Sequence, residues 1–174
     1  MNYLILGLLY ILSGFFMKLS DDAYDENDTL YLAVVFGILC ALASGIATVF
    51  DVDAAYVFIG ILIGNLLAFK IDGIHHVITL VIFILICLIC GIPHLNLVIL
   101  LVTILAALSD EIGHELIYKV TDNKFLILFF EYRFVMKVEI FLLACCGVLS
   151  FWTFVFFILF ELSYMVADLV LKKD

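Results

Sequence analysis

The stretch LYLAVVFGILCALASGIATVF, residues 30–50, decides the fold of this chain. It contains no charged side chain, and a run of about 20 apolar residues crosses the hydrocarbon core of a bilayer as one helix. The chain as a whole has the same character, since 67% of its residues are hydrophobic and 14% are charged, against roughly half and a quarter in soluble domains. The sequence therefore predicts an all-α integral membrane protein.

Further apolar runs lie on both sides of this stretch. Together they predict a polytopic transmembrane helical bundle of seven spans, at about residues 2–18, 30–50, 54–70, 76–91, 95–118, 124–147 and 150–171. No linker rich in proline, glycine or serine divides the chain, so we expect residues 1–174 to form a single integral membrane domain. The first run follows no basic segment and precedes no small-residue cleavage pattern, so it is expected to remain as a span.

The positions of the basic residues predict the orientation. The connections near Asp51, Pro93 and Gly147 contain no Lys or Arg, and all eight basic residues lie toward the opposite side. They are Lys18, Lys70, Lys119, Lys124, Arg133, Lys137, Lys172 and Lys173. The positive-inside rule then places the N-terminus outside and the C-terminus in the cytoplasm of a multi-pass protein of the cell membrane. The net charge of −9 and the lack of a basic stripe argue against a nucleic-acid partner.

A first polar cluster, Asp21-Asp22-Ala23-Tyr24-Asp25, follows the first apolar run. If the helix continues past Leu19, Asp22 lies four residues beyond Lys18 and Asp25 four beyond Asp21, so the carboxylates converge on one side. Carboxylates this close at a membrane surface are tolerated when a divalent cation neutralises them. The alternative is a solvated acidic loop between two helices.

A second cluster follows the third span. It contains Asn65, Lys70, Asp72, His75 and His76. The lysine provides a point charge suited to phosphate, and the histidines can titrate or bind a metal. A short wet loop, which would contain such residues without any function, is the simpler interpretation of the two histidines.

A third cluster, Ser109-Asp110-Glu111-Ile112-Gly113-His114-Glu115, ends the fifth span. Asp110 and His114 are four residues apart, as are Glu111 and Glu115, so the helix has two adjacent polar rows. Gly113 leaves room for a close approach. The pair of Asp110 and His114 suits a cation, or a base held by a carboxylate. The chain contains no HExxH sequence, so a zinc protease of that type is not supported.

The sixth predicted span places Arg133 and Lys137 on one face of an otherwise apolar helix. Two like charges four residues apart in a membrane helix require an anionic partner. The carboxylates of the first and third clusters, or a lipid diphosphate, could each be that partner. Glu161 and Asp168 share a face of the last span, where packing contacts or water access are the simpler explanation.

The arrangement of these clusters resembles the UbiA-type intramembrane prenyltransferase superfamily. In that family an N-D-x-x-D-x-x-x-D motif ends one helix, a D-x-x-G-D motif ends a helix four spans later, and a basic residue lies in a loop between them. Here residues 21–25 are similar to the first motif with Asp in place of Asn, and Asp28 falls one residue short of its last position. Residues 110–114 are similar to the second motif, with His114 at its final position, and Lys70 lies between the two.

The resemblance implies a Mg²⁺-dependent enzyme that transfers a prenyl group from a polyprenyl diphosphate within the lipid bilayer, at the cytoplasmic face. The implied Mg²⁺ ligands are Asp21, Asp22, Asp25 and Asp110. The implied catalytic residues are Asp22, Asp25, Asp110 and His114. Lys70, Arg133 and Lys137 are the implied diphosphate-binding residues, because they would take up negative charge as the diphosphate leaves.

Two other classes of function fit the same residues. Intramembrane carboxylates, histidines and lysines also form divalent-cation transporters and proton-coupled transporters. Transport requires polar groups through the full depth of the bundle, whereas the outer half contains only Asp51, Asp53, His94 and scattered Ser and Thr. This one-sided distribution favours an enzyme. The third class is a membrane scaffold, in which the charges simply pair with one another near the interface.

Overall fold

The computed structural model describes residues 1–26, 28–71 and 73–171, and over these residues the chain is helical throughout, without a strand. Asp72, Lys172 and Lys173, named above in the polar clusters and the charge pattern, lie outside the described residues. The helices are α1 (Tyr3–Asp25), α2 (Leu30–Phe50), α3 (Val52–Leu67), α4 (Ile74–Cys90), α5 (Leu97–Val120), α6 (Lys124–Glu131), α7 (Phe134–Cys145) and α8 (Phe151–Leu171). The predicted all-α class is therefore confirmed.

Four of these helices, α1, α2, α5 and α8, are long and apolar enough to cross a membrane. α3 and α4 are apolar but have only 16 and 17 residues. The region predicted as a sixth span contains two short helices of 8 and 12 residues. The expected number of seven spans is therefore not confirmed, although four long apolar helices agree with a polytopic membrane protein.

The outer surface of the bundle is apolar along whole helices. On α4, Val81, Leu85 and Leu88 are exposed, and on α5, Leu101 and Leu105 are exposed. Soluble monomers rarely expose apolar patches of this extent, because water penalises such surface. A lipid environment would remove that penalty, which agrees with the composition of the chain.

The helices form a ring around a central space. α1 packs against α2 and α8, α2 packs against α3 and α4, and α3 packs against α5. α7 packs against both α5 and α8, which closes the ring. Small residues allow the closest contacts: a Cβ at Gly60 or Gly64 of α3 would lie within 3 Å of Thr103 or Ala107 on α5. Such small-residue contacts are typical of helix pairs in membranes.

The break between α6 and α7 corrects the prediction of one continuous helix over residues 124–147. Arg133 adopts a left-handed conformation with φ of 50° and precedes the first residue of α7. The carboxylate of Asp110 accepts hydrogen bonds from the backbone N–H groups of Val135 (2.9 Å) and Met136 (2.8 Å). The Lys137 ammonium donates to the carbonyl oxygens of Tyr132 and Arg133. Side chains therefore satisfy two N–H groups and two carbonyl oxygens at the break.

This break also corrects the expectation that Arg133 and Lys137 share a face of one helix. Arg133 forms an ion pair with Glu111 (Nε to Oε1, 2.9 Å), and Lys137 forms one with Glu161 (3.0 Å). The two charges thus have separate carboxylate partners. The partner of Arg133, Glu111, belongs to the third cluster, which was one of the candidates considered above. The partner of Lys137, Glu161, lies on α8 instead.

Candidate functional site

The polar clusters meet at one end of the bundle. α1 does continue past Leu19 and ends at Asp25, so the first motif is helical. Asp21 Oδ1 lies 3.9 Å from His75 Nε2 and 3.7 Å from His76 Nε2 of the second cluster. Lys70 of the second cluster forms an ion pair of 3.3 Å with Glu115 of the third. The structure therefore brings together three clusters that are far apart in the sequence.

A cavity of about 410 Å³ opens between these clusters. Helices α1, α2, α3, α4, α5, α7 and α8 all contribute to its wall. The residues predicted from the sequence that line it are Asp21, Asp25, Lys70, His76, Asp110, His114 and Arg133. Residues from both motifs and both candidate diphosphate-binding regions thus face one space.

The character of the cavity changes with depth. Phe83 lies seven residues beyond His76 on α4, and Phe157 lies seven residues before Tyr164 on α8, and all four side chains line the wall. Because an α-helix rises 1.5 Å per residue, each phenylalanine lies about 10 Å deeper than its polar counterpart. Phe58 of α3 joins them in the wall. The cavity is therefore polar near the cluster end and aromatic inside.

Asp22, one of the predicted catalytic and metal-binding residues, lies outside the cavity wall. Its Oδ1 is 2.8 Å from the Lys18 ammonium, which also lies 2.9 Å from Asp168 Oδ1 on α8. Asp22 is 3% exposed. The spacing of four residues between Lys18 and Asp22 produces an ion pair, as such a helix spacing allows. Asp168 forms an ion pair with the same ammonium, where packing contacts or water access were expected.

Asp110 lines the cavity but is engaged in structure. Both of its carboxylate oxygens accept backbone hydrogen bonds at the start of α7, and the residue is 2% exposed. The predicted diphosphate-binding residue Lys137 lies outside the wall and holds the break between α6 and α7. His114 lines the wall and is half-buried. Gly113 leaves the room expected of it, because a Cβ there would overlap the ring of Phe130.

His75 and His76 do not lie in a wet loop, which was the simpler expectation. They form the first turn of α4, and His75 is only 2% exposed. Together with Asp21 they offer three ligand atoms that all lie within 4.8 Å of one another. Within the described part of the chain, these three side chains form a group that could hold a metal ion.

Sequence reasoning missed Tyr164 of α8 and assigned only packing contacts or water access to Glu161. The hydroxyl of Tyr164 donates to Asp21 Oδ2 at 3.3 Å, and Glu161 lines the cavity while it pairs with Lys137. A spacing of three to four residues places Glu161, Tyr164 and Asp168 along one face of the helix. This row was the available signal, because three polar groups on one face of an apolar helix need polar partners.

Comparisons with models of known protein families, with curated proteins and with solved structures found no match to this chain. The resemblance to the UbiA-type superfamily therefore depends on the motifs and their order alone.

Proposed function

We propose that this chain is a membrane-embedded enzyme of the prenyltransferase type, which transfers a prenyl group from a polyprenyl diphosphate. The observation that carries the proposal is the single cavity that joins Asp21, Asp25 and His114 to Lys70 and Arg133 at one end and to aromatic side chains inside. A prenyl diphosphate has the same division into a highly charged head and an apolar tail.

The dimensions of the cavity support such a ligand. Its volume of about 410 Å³ lies within the range of roughly 300–1,000 Å³ that is common for small-molecule sites. The apolar tail would lie against Phe58, Phe83 and Phe157, and the diphosphate would lie near Asp25 and Lys70. Two carboxylates and a diphosphate ester with up to three negative charges in one space require a divalent cation between them, because like charges repel strongly in a medium of low polarity.

In the proposed reaction the bond between the allylic carbon and the diphosphate oxygen breaks, and the acceptor forms a bond to that carbon and loses a proton. Inorganic diphosphate leaves with the bonding electrons. Lys70 and Arg133 would take up this charge, and phenylalanine faces would tolerate the cationic carbon. Lys70 is partly exposed in its pair with Glu115, so it can turn to an incoming anion.

The residues of the two motifs divide between binding and support in this proposal. Asp21 and Asp25 face the cavity and would provide carboxylates to the cation, which the sequence motifs predict to be Mg²⁺. Asp22 and Asp110 would act through the structure, because the first is paired with Lys18 and the second holds the start of α7. They are positioning residues for the helices that carry the site.

Packing in the other half of the bundle supports an enzyme over a transporter of cations or protons. Tyr10, Val57 and Ile140 are fully buried there, and the buried Phe157 is part of the cavity wall. A transport path needs polar groups or water along its full length. With the orientation predicted by the positive-inside rule, the cavity would open to the cytoplasmic side.

The proposal is tested by binding of a geranylgeranyl diphosphate analogue to the purified protein in detergent, with and without a divalent cation. Wild type should bind only with the cation. Asp25→Asn should weaken binding about tenfold or more, because it removes a charged ligand without changing the shape of the side chain. Asp122→Asn, an exposed residue between α5 and α6, is the matched control and should bind as wild type does.

Binding that is equal without the cation, or equal in wild type and Asp25→Asn, would overturn the proposal. The proposal would also be overturned if wild-type protein that elutes as a folded, monodisperse species did not bind the analogue at all. Catalysis is then measured as release of diphosphate in the presence of candidate aromatic or alcohol acceptors.

A further inference from the structure

The carboxylate of Asp21 faces two imidazoles at the polar end of the cavity. Its Oδ1 lies 3.9 Å from His75 Nε2 and 3.7 Å from His76 Nε2. This oxygen is buried and accepts no hydrogen bond from the described residues. A buried carboxylate oxygen is costly unless a proton donor or a cation lies against it.

We infer that Asp21, His75 and His76 form a binding site for a transition-metal dication of the zinc type, in place of the Mg²⁺ that the motifs predict. Imidazole nitrogen suits Zn²⁺, Fe²⁺ and Co²⁺, whereas Mg²⁺ prefers oxygen ligands and keeps much of its water. The claim that this metal is the cation used in prenyl transfer rests on the proposed function. The claim that the three side chains bind a metal depends on their geometry alone.

The two distances from Asp21 require only a small closure. Ligand atoms at 2.0–2.2 Å from a tetrahedral Zn²⁺ lie about 3.4 Å from one another. The two distances from Asp21 Oδ1 to the imidazoles, 3.9 and 3.7 Å, exceed this by a few tenths of an ångström. All three ligand atoms lie within 4.8 Å of one another, so rotamer adjustment of the two imidazoles would be needed to bring them to one ion.

The neighbours of the three residues hold them in place. Tyr164 donates to the other carboxylate oxygen of Asp21 at 3.3 Å, and the ring of Tyr24 packs on His75 with the centroids 4.4 Å apart. Outer partners of this kind orient metal ligands and fix their affinity. Gly73 contributes by lacking a side chain, because a Cβ there would overlap Cε1 of His75.

As far as the described residues go, the site leaves coordination positions open on the cavity side. Asp21 and His76 line the cavity, whereas His75 is buried behind them. Three protein ligands with an open position are the arrangement of catalytic rather than structural zinc sites. The open position would accept water or a phosphoryl oxygen from the cavity.

An ion pair between Asp21 and one protonated histidine is the competing explanation. It would neutralise the carboxylate without a metal, but the rings of His75 and His76 lie 3.9 Å apart, so a positive charge on one disfavours a charge on the other. A metal ion would instead bind all three groups together. The two explanations differ in whether the folded protein binds a metal at all.

The test is the binding of Zn²⁺ to the purified full-length protein, measured by competition with a chromophoric chelator and without a polyhistidine tag. Thiolates also bind Zn²⁺, so the background carries serine at the exposed Cys90, Cys145 and Cys146. We expect one Zn²⁺ per chain that a large excess of Mg²⁺ does not displace. Co²⁺ should give the visible absorption of a site with nitrogen and oxygen ligands.

Variants decide whether the ion lies at this site. Asp21→Asn, His75→Ala and His76→Ala should each lower the Zn²⁺ affinity by at least about tenfold, which is the scale of loss for even an outer partner. Gly73→Ala should lower it through displacement of the His75 ring. The controls, His94→Ala and Asp122→Asn, change exposed residues outside the cavity wall and should leave the affinity unchanged.

Three results would overturn the inference: no Zn²⁺ bound by the folded protein, equal affinity in His76→Ala and wild type, or displacement by Mg²⁺ at similar concentration. His76 is partly exposed, so its variant is expected to fold even where His75→Ala does not. The experiment contains no prenyl diphosphate. Zn²⁺ binding is therefore expected even if the protein does not bind a prenyl diphosphate. If the protein does not bind Zn²⁺, the proposed function is still tested by binding of the diphosphate analogue with Mg²⁺.

Discussion

Lys18 joins two helices through one ammonium group. It lies 2.8 Å from Asp22 on its own helix and 2.9 Å from Asp168 on α8, and its side chain is 17% exposed. An ion pair that is partly removed from water is strongly destabilising to break, because the remaining carboxylate keeps its burial and loses its counter-charge. Single side chains near the site therefore support the bundle as well as the proposed chemistry.

At this scale we predict that Lys18→Met lowers the free energy of unfolding by about 3 kcal/mol. The measurement is chemical or thermal unfolding of the purified protein in detergent. Lys119→Met removes an exposed lysine at the end of α5 and should change the stability little. Equal stability of the two variants would show that the Lys18 pairs contribute nothing.

At the scale of elements, the break between α6 and α7 depends on a carboxylate from another helix. Asp110 on α5 accepts the N–H groups of Val135 and Met136, as a capping side chain does at the start of a helix. Residues 124–146, which include the break, contain no proline or glycine. The distant carboxylate stabilises the interrupted form, and the apolar sequence of the two helices gives no sign of it.

We predict that Asp110→Ala frays the start of α7 and destabilises the protein by about 1–3 kcal/mol, because one buried and one part-buried N–H group lose their acceptor. Hydrogen exchange at Val135 and Met136 measures the fraying directly. Asp110→Asn keeps one acceptor oxygen and should recover part of the protection, and Asp122→Ala should not change it. Unaltered protection in Asp110→Ala would exclude the capping role.

At the scale of the whole molecule, the polar clusters occupy one end of the bundle, and the connections after α2, α4 and α7 lie at the other. Cys90, Cys145 and Cys146 are exposed near that second end. Cys40 is buried within α2. These cysteines report which end faces the outside of the cell.

For the proposed orientation, a membrane-impermeant maleimide added to intact cells should label the exposed cysteines. A variant that retains only Cys40 should stay unlabelled. A cysteine introduced by Asp122→Cys, in the connection between α5 and α6, should react only after the membrane is permeabilised. Labelling in the reverse order would place the polar end outside and would contradict the positive-inside prediction.

Several features of the site follow from local spacing, and these were predictable. The ion pair of Lys18 with Asp22 and the shared wall position of Asp110 and His114 both come from a spacing of four residues on a helix. The meeting of Asp21 with His75 and His76 was not predictable to the same degree. It depends on how α1 and α4 are placed around α2, which no pattern within either helix specifies.

The sequence by itself determined that the chain is helical and apolar and that its charges gather at one end, because composition and a 3.6-residue period suffice for these properties. Tertiary structure decided which charges pair with one another and which face the cavity. Asp22 and Asp25 belong to one motif, yet the first is held by Lys18 and the second lines the cavity. Partners in other helices fix this difference, because burial and electrostatics at each position depend on what packs against it.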